Sequence, residues 1–272
     1  MRKSTRRAAL ATALGTLLLG SSAFAITPAQ IKARGKIIIG IQSANPPWGF
    51  IDASSDQADG IDGDIAKSFA RELGVQVEFV GLEVANRIPA LTSGRVDVLF
   101  ATMAMLPERA RAVQFSKPYV SNAIVLVAPK STVIKTAADM GTLTIGVVRS
   151  AQQDIEVGRR APAGTRILRF DSDAASIKAM LSGQVQAVAG NIFYARRLNE
   201  ARPGSFETKL EFSKLYNGAC SRLGEKEINA ALNAFIDKIR ANGELARIQE
   251  KWMGFSNPRF PEALEGVPFA AT

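Results

Sequence analysis

Histidine is absent from the 272-residue sequence, and cysteine occurs once, at position 220. Without imidazole there is no Ser–His or Cys–His nucleophile pair, no HExxH zinc site and no histidine acid–base chemistry. A lone cysteine excludes internal disulfides and thiolate metal clusters. The GxxxxGK[ST] signature is missing as well, which removes phosphoryl transfer from a P-loop. No sequence feature calls for a cofactor or a metal. The aspartates at 56, 59, 62 and 64 miss the spacing of a calcium loop and read as turn and helix-cap residues.

What remains is an ordinary globular composition, 47% hydrophobic and 22% charged, with enough length for two cores. The net charge of +9 is concentrated at one end. Arg2, Lys3, Arg6 and Arg7 precede an apolar run from Ala8 to Leu19 and the triplet Ala23-Phe24-Ala25. That order is a secretory leader over residues 1–25, of the ordinary Sec type and too short to span a bilayer. Cleavage after Ala25 removes four cations and lowers the charge from +9 to +5. With no clustered basic stripe left, nucleic acid is not an expected partner. The expected location is the periplasm.

Strand and helix patterns alternate through the rest. Val75, Val77 and Phe79 interleave with polar residues as a strand does. Ile65, Phe69 and Leu73 recur every fourth residue as on a helix face, with Gly74 as the stop and Asp62 or Asp64 as the cap. Leu91-Thr92-Ser93-Gly94-Arg95-Val96-Asp97-Val98 reads like Met180-Leu181-Ser182-Gly183-Gln184-Val185-Gln186-Ala187, and Ile38-Ile39-Gly40-Ile41 like Thr144-Ile145-Gly146-Val147. Two α/β lobes follow, each a mostly parallel sheet flanked by helices. Ile124–Val127 and Leu215–Cys220 are the expected crossings between them, and helices over 226–242 and 245–252 close the chain. In such sheets ligands bind outside the carboxyl ends of strands, so the loops after Ile41, Phe100, Val148 and Ala189 should face a shared cleft.

Two of those loops carry conspicuous chemistry. Asn45-Pro46-Pro47-Trp48-Gly49-Phe50 is stiffened by prolines and offers Trp48 and Phe50 as stacking walls. In Thr102-Met103-Ala104-Met105-Leu106-Pro107-Glu108-Arg109, Pro107 opens a short helix that turns Arg109 back over the loop. A guanidinium there can grip a carboxylate with two parallel hydrogen bonds or form a surface pair with Glu108.

Gly60-Ile61-Asp62-Gly63-Asp64, Asn86-Arg87-Ile88-Pro89-Ala90-Leu91, Ser93-Gly94-Arg95-Val96-Asp97, Pro107-Glu108-Arg109 and Phe115-Ser116-Lys117-Pro118-Tyr119 stand in a characteristic order. By these motifs the chain resembles the extracellular solute-binding proteins of polar amino acid importers over roughly residues 31–254. The resemblance implies a two-lobed type II periplasmic-binding-protein fold with two hinge crossings. Lobe one would comprise residues 26–122 and 219–272, lobe two 123–218, with the C-terminal helices returning to lobe one. It implies a monomer that closes over an amino acid or related carboxylate and delivers it to the membrane permease of an ATP-driven importer. By position, Arg109 would clamp the ligand carboxylate, helped by backbone N–H groups over Thr102, Met103 and Ala104. Asn45, Trp48 and Phe50 would line lobe one. Arg149, Ala151 and Gln152 would form the anion-binding helix start of lobe two, and Asn191 would occupy the place of the acid that holds the ammonium.

Asn191 is a neutral amide. An ammonium buried without an anion is costly. Another acid supplies the charge, the ligand has no free ammonium, or the correspondence slips by a residue. Asn191, with Ala104, Leu106 and Ala151 where the family often has hydroxyls, points to a carboxylate with an apolar or aromatic body. A lyase of the cyclohexadienyl dehydratase kind, which shares the scaffold, is the alternative, but it needs a general acid that Asn191 cannot be.

Overall fold

The computed structural model describes residues 25–257 and 259–271, so the expected leader lies outside them except for Ala25. The chain begins with α1 (Pro28–Arg34), capped by Thr27, and β1 (Lys36–Gln42). Three short strands follow as a separate small sheet, β2 (Ala44–Asn45), β3 (Gly49–Ile51) and β4 (Ala58–Asp59). Then come α2 (Gly60–Leu73), β5 (Gln76–Leu82), α3 (Arg87–Thr92), β6 (Val98–Leu99) and α4 (Pro107–Ala110). The next strand, β7 (Gln114–Pro129), leads into the second half. That half contains β8 (Thr144–Val148), α5 (Gln152–Arg160), β9 (Arg166–Phe170), α6 (Asp173–Leu181), β10 (Ala187–Asn191) and α7 (Tyr194–Ala201). Strand β11 (Phe206–Ser221) returns, and α8 (Lys226–Ala241) and α9 (Glu244–Met253) follow.

The strand order β5-β1-β6-β11-β7-β10-β8-β9 resolves into two lobes that share a central ribbon. In the first, β1 runs parallel to β5 and β6. In the second, β8 runs parallel to β9 and β10. The long strands β7 and β11 pair antiparallel and pass through both lobes, and they are the two hinge crossings. They extend well beyond the expected segments. Their register is irregular at Asn217/Gly218 and Gly218/Cys220, where bulges bend the ribbon.

Each sheet is covered on both faces. In lobe one, Ile37 and Ile39 of β1 pack with Phe69 of α2 and with Leu232 and Phe235 of α8. The other face joins Leu91, Leu99, Phe115 and Cys220. The C-terminal helices therefore return to lobe one, and Cys220 is a sealed core residue. In lobe two, Ile145 and Val157 pack on one face, and Ile177, Met180, Tyr194 and Leu198 on the other.

Three local expectations need correction. The residue before α2 is Asp59, and neither Asp62 nor Asp64 caps the helix. Asp62 turns inward to Tyr119 and Thr102, while Asp64 accepts from Trp252 and Lys251. Strand β6 is two residues long, shorter than the strand over 96–100 that Val96, Val98 and Phe100 suggest, because only Val98 and Leu99 pair. Helix α7 escaped the sequence reading because only Tyr194 and Leu198 of its eight residues are buried, too few for a clear apolar stripe.

Gly190 marks a close approach in lobe two. A Cβ there would lie 2.3 Å from the ring of Tyr194, whose hydroxyl supports the carboxylate of Asp173. Gly190→Ala should therefore destabilise the protein by about 1–3 kcal/mol, the usual cost of overpacking a filled core, as read from chemical denaturation. A stability equal to wild type would contradict this packing.

Candidate functional site

Between the lobes lies a cavity of about 410 Å³ including its mouth. Its walls are the loops that leave the carboxyl ends of strands, as the topology requires. From lobe one come Gln42 and Asn45 after β1, Val84 and Arg87 after β5, and Thr102, Ala104 and Arg109 after β6. From lobe two come Ala151, Gln152 and Gln153 after β8, Asp173 after β9 and Asn191 at the end of β10. Asn122 and Ile124 of β7 and Leu215 and Asn217 of β11, at alternating positions, supply the hinge-side floor.

Arg109 sits on α4 and is buried. Its guanidinium reaches the carbonyls of Ala104 at 3.4 Å and, across the cleft, Ser150 at 3.5 Å. Both contacts are long, and no carboxylate pairs with Arg109 among the described residues. It does not form the surface pair with Glu108. Arg87 is buried too, but firmly held: Nε donates to Val84 at 3.0 Å, and Nη1 to Ala101 at 2.7 Å and Thr102 at 3.0 Å. Burial pushes its pKa down to about 9, still cationic at neutral pH, and the nearby Arg109 charge acts in the same direction. Burial likewise lowers that of Arg109.

Asp173 is the acid of the site. Its carboxylate accepts from Tyr194 Oη at 2.7 Å and from Gln42 Nε2 at 3.5 Å. Burial raises its pKa, opposed by the Tyr194 hydrogen bond. The amide of Asn191 is spent elsewhere. Its Nδ2 donates to Asn45 across the cleft at 3.1 Å, and its Oδ1 accepts from the Phe193 N–H at 3.0 Å. Asn45 in turn donates to Gln42 at 2.9 Å. A polar chain thus runs from Asn191 through Asn45 and Gln42 to Asp173, tying the two lobes. Several buried amide atoms on the wall have no partner among the described residues: Asn122 Oδ1, Gln152 Oε1 and both polar atoms of Asn217. Buried polar groups are rarely left so, which marks the cavity as a place for a polar ligand.

Of the residues singled out by sequence, the structure brings Asn45, Thr102, Ala104, Arg109, Ala151, Gln152 and Asn191 to this cavity. It does not bring Trp48, Phe50, Met103 or Arg149. Trp48 is sealed in the core against Phe193, with ring centroids 5.4 Å apart. Phe50 packs edge-on against Trp252 at 5.8 Å. Met103, expected to contribute through its backbone N–H, has its side chain buried within lobe one, and this burial does not test the N–H. Arg149 points outward and pairs with Asp171 at 3.3 Å. Among the described residues no aromatic side chain lines the cavity, and amides outnumber the apolar side chains Val84, Ala104, Ile124, Ala151 and Leu215, so the lining suits a polar ligand better than the expected apolar or aromatic body. The start of α5 does face the cavity through Ala151, Gln152 and Gln153, and no side chain caps it. The Thr102 N–H is not free for a ligand, because Asp62 accepts it at 2.7 Å.

Gln42, Arg87, Gln153, Asp173 and the floor residues escaped the sequence reading. For Arg87 a signal was the motif Asn86-Arg87-Ile88-Pro89-Ala90-Leu91; for the others it was topological. Strands β5 and β9 also end at the cleft, and α3 and α6 begin there with Arg87 and Asp173.

Asp62 supports the site from beneath. It accepts from the N–H and Oγ1 of Thr102 and from Tyr119 Oη at 2.7–2.8 Å. It thereby holds Thr102 at φ 52°, a left-handed conformation that costs energy outside glycine. Burial raises its pKa from 3.8 to about 6. An acid whose pKa rises on folding stabilises the folded state while protonated. That contribution is full below the unfolded value and is lost as pH climbs through about 6, an effect of about 3 kcal/mol. Asp62→Asn should flatten the fall in stability between about pH 4 and pH 7 in thermal melts. Parallel pH profiles for the two proteins would contradict the assignment.

The comparisons with known proteins agree with this architecture. The sequence profile of the bacterial extracellular solute-binding proteins, family 3, matches residues 37–255. An L-arginine-binding protein of Pseudomonas aeruginosa is 28% identical over 249 residues, covering 88% of this chain and 96% of that protein. The ABC transporter glutamine-binding protein of Bacillus subtilis is 26% identical over 231 residues, covering 84% of each chain. Among solved structures, a solute receptor for L-cysteine of Neisseria gonorrhoeae superposes with a TM-score of 0.78 at 30% identity, covering 84% of this chain and 94% of that one.

Proposed function

Because this chain belongs to the family 3 bacterial extracellular solute-binding proteins, we propose that it is the substrate-binding component of an ABC-type amino acid import system. Its lobes close over one ligand and present it to the membrane permease. The observation that carries this reading is Arg109: a buried guanidinium with no carboxylate partner among the described residues, reaching from lobe one to the Ser150 carbonyl of lobe two. A ligand carboxylate between Arg109 and the start of α5 touches both lobes at once. Contacts made only when the lobes meet favour the closed form. A charge-assisted clamp of about 1.5–3 kcal/mol, added to amide hydrogen bonds, is compatible with micromolar affinity, about −8 kcal/mol.

The reading sets lobe one at residues 26–122 and 219–272 and lobe two at 123–218. Both boundaries fall inside β7 and β11, and the bulges at Asn217 and Gly218 support a hinge there. The protein works as a monomer in the periplasm after removal of the leader. Among the described residues no helix is long and apolar enough to cross a membrane.

One observation favours a second reading, a lyase on the same scaffold: Asp173 is the buried carboxyl that Asn191 could not be. Simple binding needs no such chemistry, and we expect no turnover of prephenate or arogenate by the purified protein; turnover would replace the first reading with the second. For the first, Arg109→Ala should weaken ligand affinity at least about tenfold, the loss of one charged hydrogen bond, in calorimetric titrations, with an unchanged circular dichroism spectrum. Affinity equal to wild type would place the carboxylate elsewhere.

A further inference from the structure

The ionisable groups on the cavity wall are two guanidiniums and one carboxylate: Arg87, Arg109 and Asp173. Arg87 and Asp173 are the first residues of α3 and α6, corresponding elements of the two lobes, so the fold sets opposite charges on the two lobes across one cleft. Three features of these groups point to an occupant. Arg109 has only two long carbonyl contacts. Arg87 spends Nε and Nη1 on backbone carbonyls and leaves Nη2 without a partner among the described residues. Asp173 has Oδ1 engaged by Tyr194 and Oδ2 by a 3.5 Å contact from Gln42, with its own backbone N–H and the Arg197 charge nearby, and it faces the cavity. The site therefore holds two places for an anion and one for a cation, with a net charge of +1.

Resting on the amino acid-binding reading above, we infer that the ligand is an acidic α-amino acid, with its α-carboxylate on Arg109, its side-chain carboxylate on Arg87 and its ammonium on Asp173. Such a ligand carries −1 and neutralises the site. A neutral amino acid leaves one guanidinium uncompensated in a closed, poorly hydrated cleft, and an arginine ligand leaves two positive charges in excess. A dicarboxylate without an ammonium carries one negative charge more than the site neutralises and brings no donor to Asp173. Uncompensated buried charge is what discriminates most strongly between ligands of similar size. The unpartnered carbonyl oxygens of Asn122, Gln152 and Asn217 offer further acceptors for the ammonium hydrogens.

The test is calorimetric titration of the exhaustively dialysed full-length mature protein with L-glutamate, L-aspartate, L-glutamine, L-asparagine, L-arginine and glutarate. The expected result is that glutamate or aspartate binds at least about tenfold tighter than its own amide, with glutarate weaker than glutamate and no saturable binding of arginine. Tighter binding of glutamine, asparagine or arginine than of both acids would overturn the inference and leave the amino acid-binding reading standing. Binding of none of these amino acids would overturn both. Arg87→Met should weaken binding of the acid at least about tenfold more than binding of its amide, erasing the preference. An equal loss for acid and amide would show that Arg87 only supports the loop of Ala101 and Thr102. Asp173→Asn should erase the preference for glutamate over glutarate, and an undiminished preference would remove Asp173 from the ammonium site.

Discussion

A guanidinium taken out of water needs an anion, and Arg109 is given none by its own chain among the described residues. Its neighbours are two carbonyl oxygens at the far limit of hydrogen bonding, one from each lobe. Desolvating a cation costs several kcal/mol unless opposite charge comes with it, so the closed cleft is complete only with an anion supplied from outside. Much else in the structure serves this one need. Pro107 opens the short helix that carries Arg109, and Asp62 fixes the adjacent Thr102 in a left-handed turn. Arg87 stitches the same loop to α3 through the carbonyls of Ala101 and Thr102.

The fold delivers these groups by a simple rule. Parallel strands in each lobe end at the same edge, and the helices that follow begin there. Because β7 and β11 run through both lobes as one bulged ribbon, the two edges face each other over a floor of Asn122 and Asn217. Closure then brings Asn45 to Asn191 and Trp48 to Phe193. These contacts join the lobes beside the longer Arg109–Ser150 and Gln42–Asp173 contacts.

The elements that could be read from sequence are those whose signal is local. Apolar periodicity placed α2 and α8, and the Ser-Gly pairs after α3 and α6 exposed the repeat of the two lobes. Arg109 was legible because a proline and a family motif fix its helix. The rest of the site depends on distances along the chain that no local pattern reports. Asp173 looks like an ordinary first-turn acid, and only its depth and its tie to Tyr194 distinguish it. Arg87 reads as the start of a short helix. Trp48 misled because a rigid loop presents one side chain outward and another inward, and here Asn45 reaches the cavity while the indole joins the core. The missing acid at Asn191 was visible as a defect. The carboxylate that Asp173 brings to the cavity from a different strand end was not.

The most direct test of the account is a crystal structure of the protein with its bound small molecule. The account predicts a single molecule between the lobes, with a carboxylate bridged by Arg109 and the first N–H groups of α5. A molecule bound outside the interlobe cavity, or Arg109 turned to bulk solvent while the cleft stays shut, would contradict it.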